Sequence, residues 1–158
     1  MNTIKLRPVR LDDKNDLLAW ANDPETMNSR FNKRPISIQE HEAWFNRSLS
    51  NPGRMIYLAE DEGGNKLGAI RLDRLSERVI EYDINVAPIM RGKGYSASMI
   101  AAASELYKPE QRGLLFIARI KKSNPRSKAA FLKAGCQALF TYTDRDQGEI
   151  EILGKIRL

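Results

Sequence analysis

The chain has 158 residues, 42% of them hydrophobic and 29% charged, with a net charge of +6. That length and balance describe one globular domain with a real core, and no apolar run is long enough to span a bilayer. One cysteine, Cys136, and one histidine, His41, exclude an internal disulfide and a cysteine zinc cluster and argue against a metal site. Residues 1–5 lack the apolar stretch of a signal peptide, so a cytoplasmic address is expected. The positive balance fits a nucleic acid or an anionic small ligand. Acids are interspersed with bases, and no basic run exceeds two residues, as at Lys121-Lys122, which favours the small ligand. A monomer and a homodimer fit equally.

Residues 4–9 read as a first strand. Asp12 or Asp13 can cap a helix running to Asn22, with Leu17, Leu18 and Ala21 inward, and Asn22-Asp23-Pro24 breaks it. Residues 25–35 are polar, interrupted by Met27 and Phe31, and read as a loop. Ser37-Ile38-Gln39-Glu40 is a capping box. It opens a helix on which Ile38, Phe45 and Leu49 share a face, closed by Asn51-Pro52-Gly53. Residues 55–60 and 67–73 form strands joined by a turn at 61–66, and 74–78 turn into a third strand. There Ile80, Tyr82, Ile84 and Val86 alternate with Glu81, Asp83 and Asn85, the pattern of a half-buried strand, and Pro88 ends it. Arg91-Gly92-Lys93-Gly94 is a tight basic turn. After it Tyr95, Met99, Ala103 and Leu106 recur at helical spacing, up to Lys108-Pro109. Residues 114–120 are mostly apolar and read as a central strand covered on both faces. Ser123 caps a helix through Ala134, with Pro125 in its first turn and Gly135 just past its end. Residues 137–143, a turn at 144–148 and residues 149–157 make a final hairpin. The order β-α-α-β-β-β-α-β-α-β-β predicts an α/β fold: one mixed, mostly antiparallel sheet of about seven strands with helices on both faces.

The stretch from Ile80 to Tyr107 carries the strongest functional signal. A strand that passes through a glycine turn into a helix aims backbone N–H groups and a helix N-terminus at one point, where an anion binds. The glycines let a ligand approach the backbone closely, and Arg91 and Lys93 add charge. Two familiar phosphate loops do not fit. A P-loop needs Gly, four residues, then Gly-Lys-Ser/Thr. A dinucleotide fingerprint ends on a glycine where Ala97 stands.

The full string resembles the acyl-CoA-binding motif of the GNAT superfamily of N-acyltransferases, Gln/Arg-x-x-Gly-x-Gly/Ala after a strand ending in Val-x-Pro. Arg91, Gly94 and Ser96 occupy its positions, Ser96 replacing the usual Gly or Ala. A second stretch, Asn124, Ser127, Phe131, Lys133 and Gly135, fits the family's Asn-x-x-Ser/Ala-x-x-x-Tyr/Phe-x-Lys-x-Gly helix. The element order is that of the GNAT fold, so the resemblance covers essentially the whole chain. The N-terminal part, from Leu6-Arg7-Pro8 to Glu40-His41-Glu42-Ala43-Trp44-Phe45, is similar to two subgroups. One acetylates amino groups on nucleotide-linked sugars, as in pseudaminic acid synthesis, and the other acetylates ribosomal-protein N-termini.

The resemblance implies acetyl-CoA as co-substrate and direct attack of a primary amine on its thioester. It implies that Arg91, Gly92, Lys93, Gly94, Tyr95, Ser96 and Ala97 hold the pyrophosphate. It also implies that Ile84, Asn85 and Val86 flank the thioester, with a backbone N–H near Val86 on the developing oxyanion. Asn124 then lies along the pantetheine arm, with Phe131 among the cofactor-binding residues. The amine must lose a proton to a base, often through water. Glu81 and Asp83 project from one face of their strand and are candidates, or else form an ordinary ion-paired sheet face. His41 titrates near neutrality and is another candidate, or a partly buried structural histidine. Many relatives protonate the departing thiolate with a tyrosine where this chain has Phe131. Tyr142, Tyr107 or a water is left for that part, or the thiolate leaves unaided. Cys136 reads as a small core residue. Arg30, Lys33, Arg34, Arg71 and Arg74 lie in segments that flank the acceptor cleft of such a fold and suit the diphosphate of a nucleotide-sugar. The expected acceptor is a small amine, an amino sugar or nucleotide-linked amino sugar. A protein N-terminus, a non-catalytic acyl-CoA-binding module and a nucleic-acid-binding role are the alternatives.

Overall fold

The computed structural model describes residues 2–107 and 113–157. In chain order these form β1 (Lys5–Pro8), α1 (Lys14–Ala21), α2 (Pro24–Ser29), α3 (Ile38–Leu49), β2 (Arg54–Glu60), β3 (Lys66–Arg74) and β4 (Val79–Val86). Then come α4 (Tyr95–Ser104), β5 (Leu114–Lys121), α5 (Pro125–Lys133), β6 (Gln137–Asp144) and β7 (Gly148–Arg157). The strands make one seven-stranded sheet in the order β1-β2-β3-β4-β5-β7-β6. Every neighbouring pair is antiparallel except β4 and β5. That is the mixed, mostly antiparallel fold that the sequence predicts. No helix among the described residues is long and apolar enough to cross a membrane.

Alternation along the strands divides the interior in two. On one face Ile70, Leu72, Ile80 and Phe116 meet Met99 and Ile100 of α4 and Phe131 of α5. On the other, Ile56, Leu58 and Ala69 meet Leu17 of α1 and Phe45 of α3. Burying each such large side chain contributes about 1.5–3 kcal/mol. Cys136 is buried in the first of these clusters, where burial pushes its thiol pKa up, as a core cysteine requires. On the second face the apolar row stops at β3. Arg71 stands opposite Asp83, and Asp73 opposite Glu81, so the sheet surface turns charged toward β4 and β5.

Local chemistry explains where the elements depart from expectation. Residues 24–29 are helical rather than a loop. The Asp23 carboxylate accepts the amides of Glu25 and Thr26, each at 3.1 Å, and Pro24 takes the first helical position. Proline there gives up no hydrogen bond and starts with a helical φ, so Asn22-Asp23-Pro24 ends one helix and begins the next. The capping box of α3 forms as expected, with Ser37 Oγ accepting from Glu40 N at 3.1 Å and Glu40 accepting from Ser37 N at 3.0 Å. Its buried face is His41, Phe45 and Ser48, a spacing of four and three residues. Ile38 and Leu49, at the helix termini, are 67% and 49% exposed. Helix α4 ends at Ser104, before Leu106, and Lys108-Pro109 lies outside the described residues. Asn124, not Ser123, caps α5, accepting from Ser127 N at 3.2 Å, and Gly135 follows with φ of +90°. β5 is fully covered on one face, with Leu114, Phe116, Ala118 and Ile120 buried; on the other Leu115 and Ile117 are half-buried, Arg119 is exposed and only the terminal Lys121 is buried.

Candidate active site

β4 and β5 pair in parallel only where residues 79–81 face 115–117. Beyond that the two strands part, and the gap is the centre of the site. The amide of Ala87 donates to Leu67 O at 2.9 Å. Donors toward one neighbour alternate along an antiparallel ladder. Gly68 stands opposite Val86 and Ile70 opposite Ile84, so the amides of Val86 and Ile84 point away from β3 and into the gap.

Gly92 and Gly94 have φ of +75° and +83°, the left-handed region that glycine tolerates. Gly94 stands immediately before α4, and no side chain caps this helix. The first amides of a helix lack intrahelical acceptors, so those of Tyr95, Ser96 and Ala97, with the helix dipole, form an anion cradle. The cradle borders a groove of about 150 Å³ that reaches Asn124 and Ser127 on α5. Ile84, Asn85, Val86, Arg91, Gly92, Gly94, Tyr95, Ser96 and Asn124 all border it. Lys93 is exposed, and Ala97 turns its methyl into the core, so it offers only its amide. Phe131 does not border this groove. It is 2% exposed, packs with its ring centroid 5.7 Å from that of Tyr82, and borders the neighbouring chamber.

Arg91, expected at the pyrophosphate, borders the groove and is also engaged by α2. Its guanidinium bonds Asp23 at 2.7 Å, Glu25 at 3.2 Å and Thr26 Oγ1 at 2.6 Å. It therefore ties α2 to the glycine turn, and it holds the Asp23 carboxyl below the usual carboxylate range. Arg126 of α5 reaches the same Glu25. α2 is thus fastened from both sides of the groove by charge rather than by apolar packing: none of its residues is buried.

The groove runs into a chamber of about 420 Å³, and Thr26, Ser29, Ile84, Asn85, Asn124 and Ser127 line both. Trp20, Phe31, His41, Trp44, Tyr82 and Phe131 give the chamber its rings. Glu81 accepts Nε and Nη2 of Arg119 on one oxygen, at 2.9 and 2.7 Å. Asp83 pairs with Arg71 at 2.8 Å, and Arg71 also bonds Asp73 at 2.8 Å. Both candidate bases are therefore ion-paired, each with its second oxygen outside these bonds, and the Asp83 side chain is the more open at 56% exposure against 13%. His41 is buried, with Nε2 2.8 Å from Lys14 O and its ring stacked on Trp44 at 5.4 Å. A carbonyl only accepts, so Nε2 carries the proton. Burial pushes the imidazole pKa down, which favours the neutral ring. Tyr142 lies on the edge strand β6 beside Phe140, and Tyr107 packs edge-on to Phe116 in the core. Neither borders the groove or the chamber.

Sequence reasoning missed Thr26, Arg119 and Lys121. Thr26 lay in the supposed loop. Arg119 and Lys121 share parity with Leu115 and Ile117, so they stand on the half-open face of β5. They lie 5.6 and 5.5 Å from the centroid of the Phe31 ring. The alternation at the end of that strand was the available signal. Among the described residues no cluster of His, Cys, Asp and Glu suits a metal ion.

Residues 3–137 match the protein family described as acetyltransferase (GNAT) domain. No curated protein matches the chain by sequence. Among solved structures, the chain superposes on a spermidine N-acetyltransferase from Vibrio cholerae in complex with CoA and spermine. The TM-score is 0.87 at 17% identity, over 98% of this chain and 95% of that one. A chimera of the Vibrio cholerae enzyme and hSSAT superposes with a TM-score of 0.84 at 16% identity, over 97% and 95% of the two chains. At such identities the likeness is one of fold.

Proposed function

The chain belongs to the GNAT acetyltransferases, which move the acetyl group of acetyl-CoA onto an amine, and from that premise we propose that its acceptor is a small amino sugar, free or nucleotide-linked. The observation that carries this reading is the meeting of groove and chamber at Ile84 and Asn85. Direct attack needs a donor and an acceptor that meet end to end, each in its own cavity. The amides at the start of α4 would hold the pyrophosphate, and Asn124 would lie along the pantetheine arm. The Val86 amide would donate to the thioester oxygen as it gains charge, where a fixed dipole is worth more than water. A chamber of about 420 Å³ falls in the range of small-molecule sites, and Trp20 and Trp44 offer flat faces for a sugar ring.

Asp83 is the favoured base. A strand rises about 3.3 Å per residue, which sets Asp83 roughly 10 Å from Val86 and Glu81 roughly 17 Å. An amine at the strand end and one water span the shorter distance. Arg71, 2.8 Å away, would hold the Asp83 carboxylate in place. His41 has its Nε2 proton committed to Lys14 and serves as wall. Asp83→Asn should lower kcat by about a hundredfold with CoA binding kept, a typical loss of general-base catalysis. A kcat close to that of wild type would put the base elsewhere.

A screen of amines read by release of free thiol tests the acceptor. Amino sugars should turn over, and turnover confined to peptides would sink the sugar reading. Spermidine and spermine should be poor acceptors. Either polycation would meet Arg30, Arg71, Arg119 and Lys121, against two carboxylates that are already paired.

A further inference from the structure

Among the described residues, two positive charges in the chamber have no counter-ion. Arg119 is paired with Glu81, and Arg71 with Asp73 and Asp83. Arg30 and Lys121 make no ion pair among the described residues. Arg30 gives Nη2 to Arg34 O at 2.9 Å, and its buried Nε donates to nothing. Lys121 is 7% exposed and gives Nζ to Arg30 O at 2.5 Å, which joins the two side by side.

Taking a cation out of water costs free energy that a carbonyl repays only in part. The cost shows in both groups. Burial pushes the pKa of each below its ordinary value, with Lys33 adding to the effect on Lys121. Asp83 acts on Arg30 only from a distance, its own bond being to Arg71. The parallel strands place Lys121, at the end of β5, on one side of the gap and Asn85, near the end of β4, on the other.

We propose that Arg30 and Lys121 form an anion subsite for the acceptor, so that the natural acceptor carries a phosphate or carboxylate group besides its amine. The amine lies toward β4, where the thioester would be presented, and the anion toward the end of β5. This rests on the reading of the chamber as the acceptor site, and it separates this chamber from one that receives a polyamine.

The test is calorimetry on the full chain saturated with CoA, so that the α4 cradle is already filled. Pyrophosphate and citrate are the probes, one for each source of the anion. At least one should bind wild type. Arg30→Gln and Lys121→Gln should each weaken it by about tenfold or more, as loss of a charge-assisted hydrogen bond does. Lys121→Arg should keep most of the affinity. Circular dichroism checks the fold, and Arg30→Gln, outside the sheet, carries the test if Lys121→Gln unfolds. Failure of both probes to bind CoA-loaded wild type overturns the proposal, as does equal binding by a folded charge-removing variant. Turnover of glucosamine 6-phosphate against glucosamine is measured separately. An absence of transfer to any amine would count against the acceptor-site reading, whereas an absence of anion binding counts against the subsite.

Discussion

Gly94 holds φ of +83° at the entrance to α4, and a Cβ built there would meet only Asn2 Nδ2, at 3.8 Å. Space does not exclude a larger residue; backbone conformation does. A β-branched side chain at positive φ is strained, and relief of that strain would swing the α4 amides out of the groove. Gly94→Val should weaken CoA binding by about tenfold or more, in line with the usual cost of such strain. Its circular dichroism should stay close to that of wild type. CoA binding as tight as wild type by a folded Gly94→Val would remove this loop from pyrophosphate binding. The part played by Gly94 was legible because it is local: a glycine between a period of two and a period of 3.6 must make the turn. The parts of Lys121 and Arg91 were not. Lys121 is buried beneath Arg30, and Arg91 is matched to Asp23 and Glu25, pairings made only when distant segments meet.

At the scale of elements, α2 decides how the two cavities are joined. It carries Thr26 and Ser29, which border both, and it is anchored by Arg91 and Arg126. Arg91→Ala should therefore raise KM for acetyl-CoA and for the acceptor together, by about threefold or more for a partly buried network of this kind. An arginine that served the pyrophosphate alone would move only the acetyl-CoA value. Steady-state kinetics with each substrate varied in turn separates the two. The sequence contained the signs of α2, since Asp followed by Pro is as good a helix start as it is a break. Six residues with no apolar face gave no periodicity to choose between them. The Ile80 to Val86 strand was the opposite case, with alternation long enough to state both its faces, including Glu81 and Asp83 beside one another.

For the molecule as a whole, Asp13 is the charge that ties the N-terminal segment to the sheet. It is 1% exposed, accepts from Arg10 N at 2.8 Å, and pairs with Arg7 at 2.7 Å and Lys66 at 2.8 Å. Burial alone would raise its pKa, but the bonds from Arg7 and Lys66 outweigh it and hold the carboxyl well below the usual range. The folded value is thus below the unfolded one, which is about 3.9. The stabilisation is complete above that unfolded value and drains away as pH falls through it toward the folded one. Asp13→Asn should lose about 3 kcal/mol at neutral pH, because it leaves Arg7 and Lys66 short of a partner. Thermal melts should then show a smaller further loss in acid for the variant than for wild type. Parallel curves for the two would place the acid sensitivity elsewhere. The strands themselves were readable from alternation, which is local. That β4 and β5 lie side by side, parallel, and then diverge depends on the path of the chain across the sheet. No residue pattern states that path.

The two halves of the site are made of different material. The groove offers main-chain amides at the end of β4 and the start of α4, and the chamber offers indoles, guanidiniums and carboxylates. A single codon change can delete a guanidinium, but only a change to proline deletes an amide. On the proposed assignment of donor to groove and acceptor to chamber, mutation has many ways to alter which acceptor is taken and very few to alter which donor is used. Such a scaffold is suited to gene duplication, with each copy free to drift toward a new substrate while the donor pocket passes down unaltered.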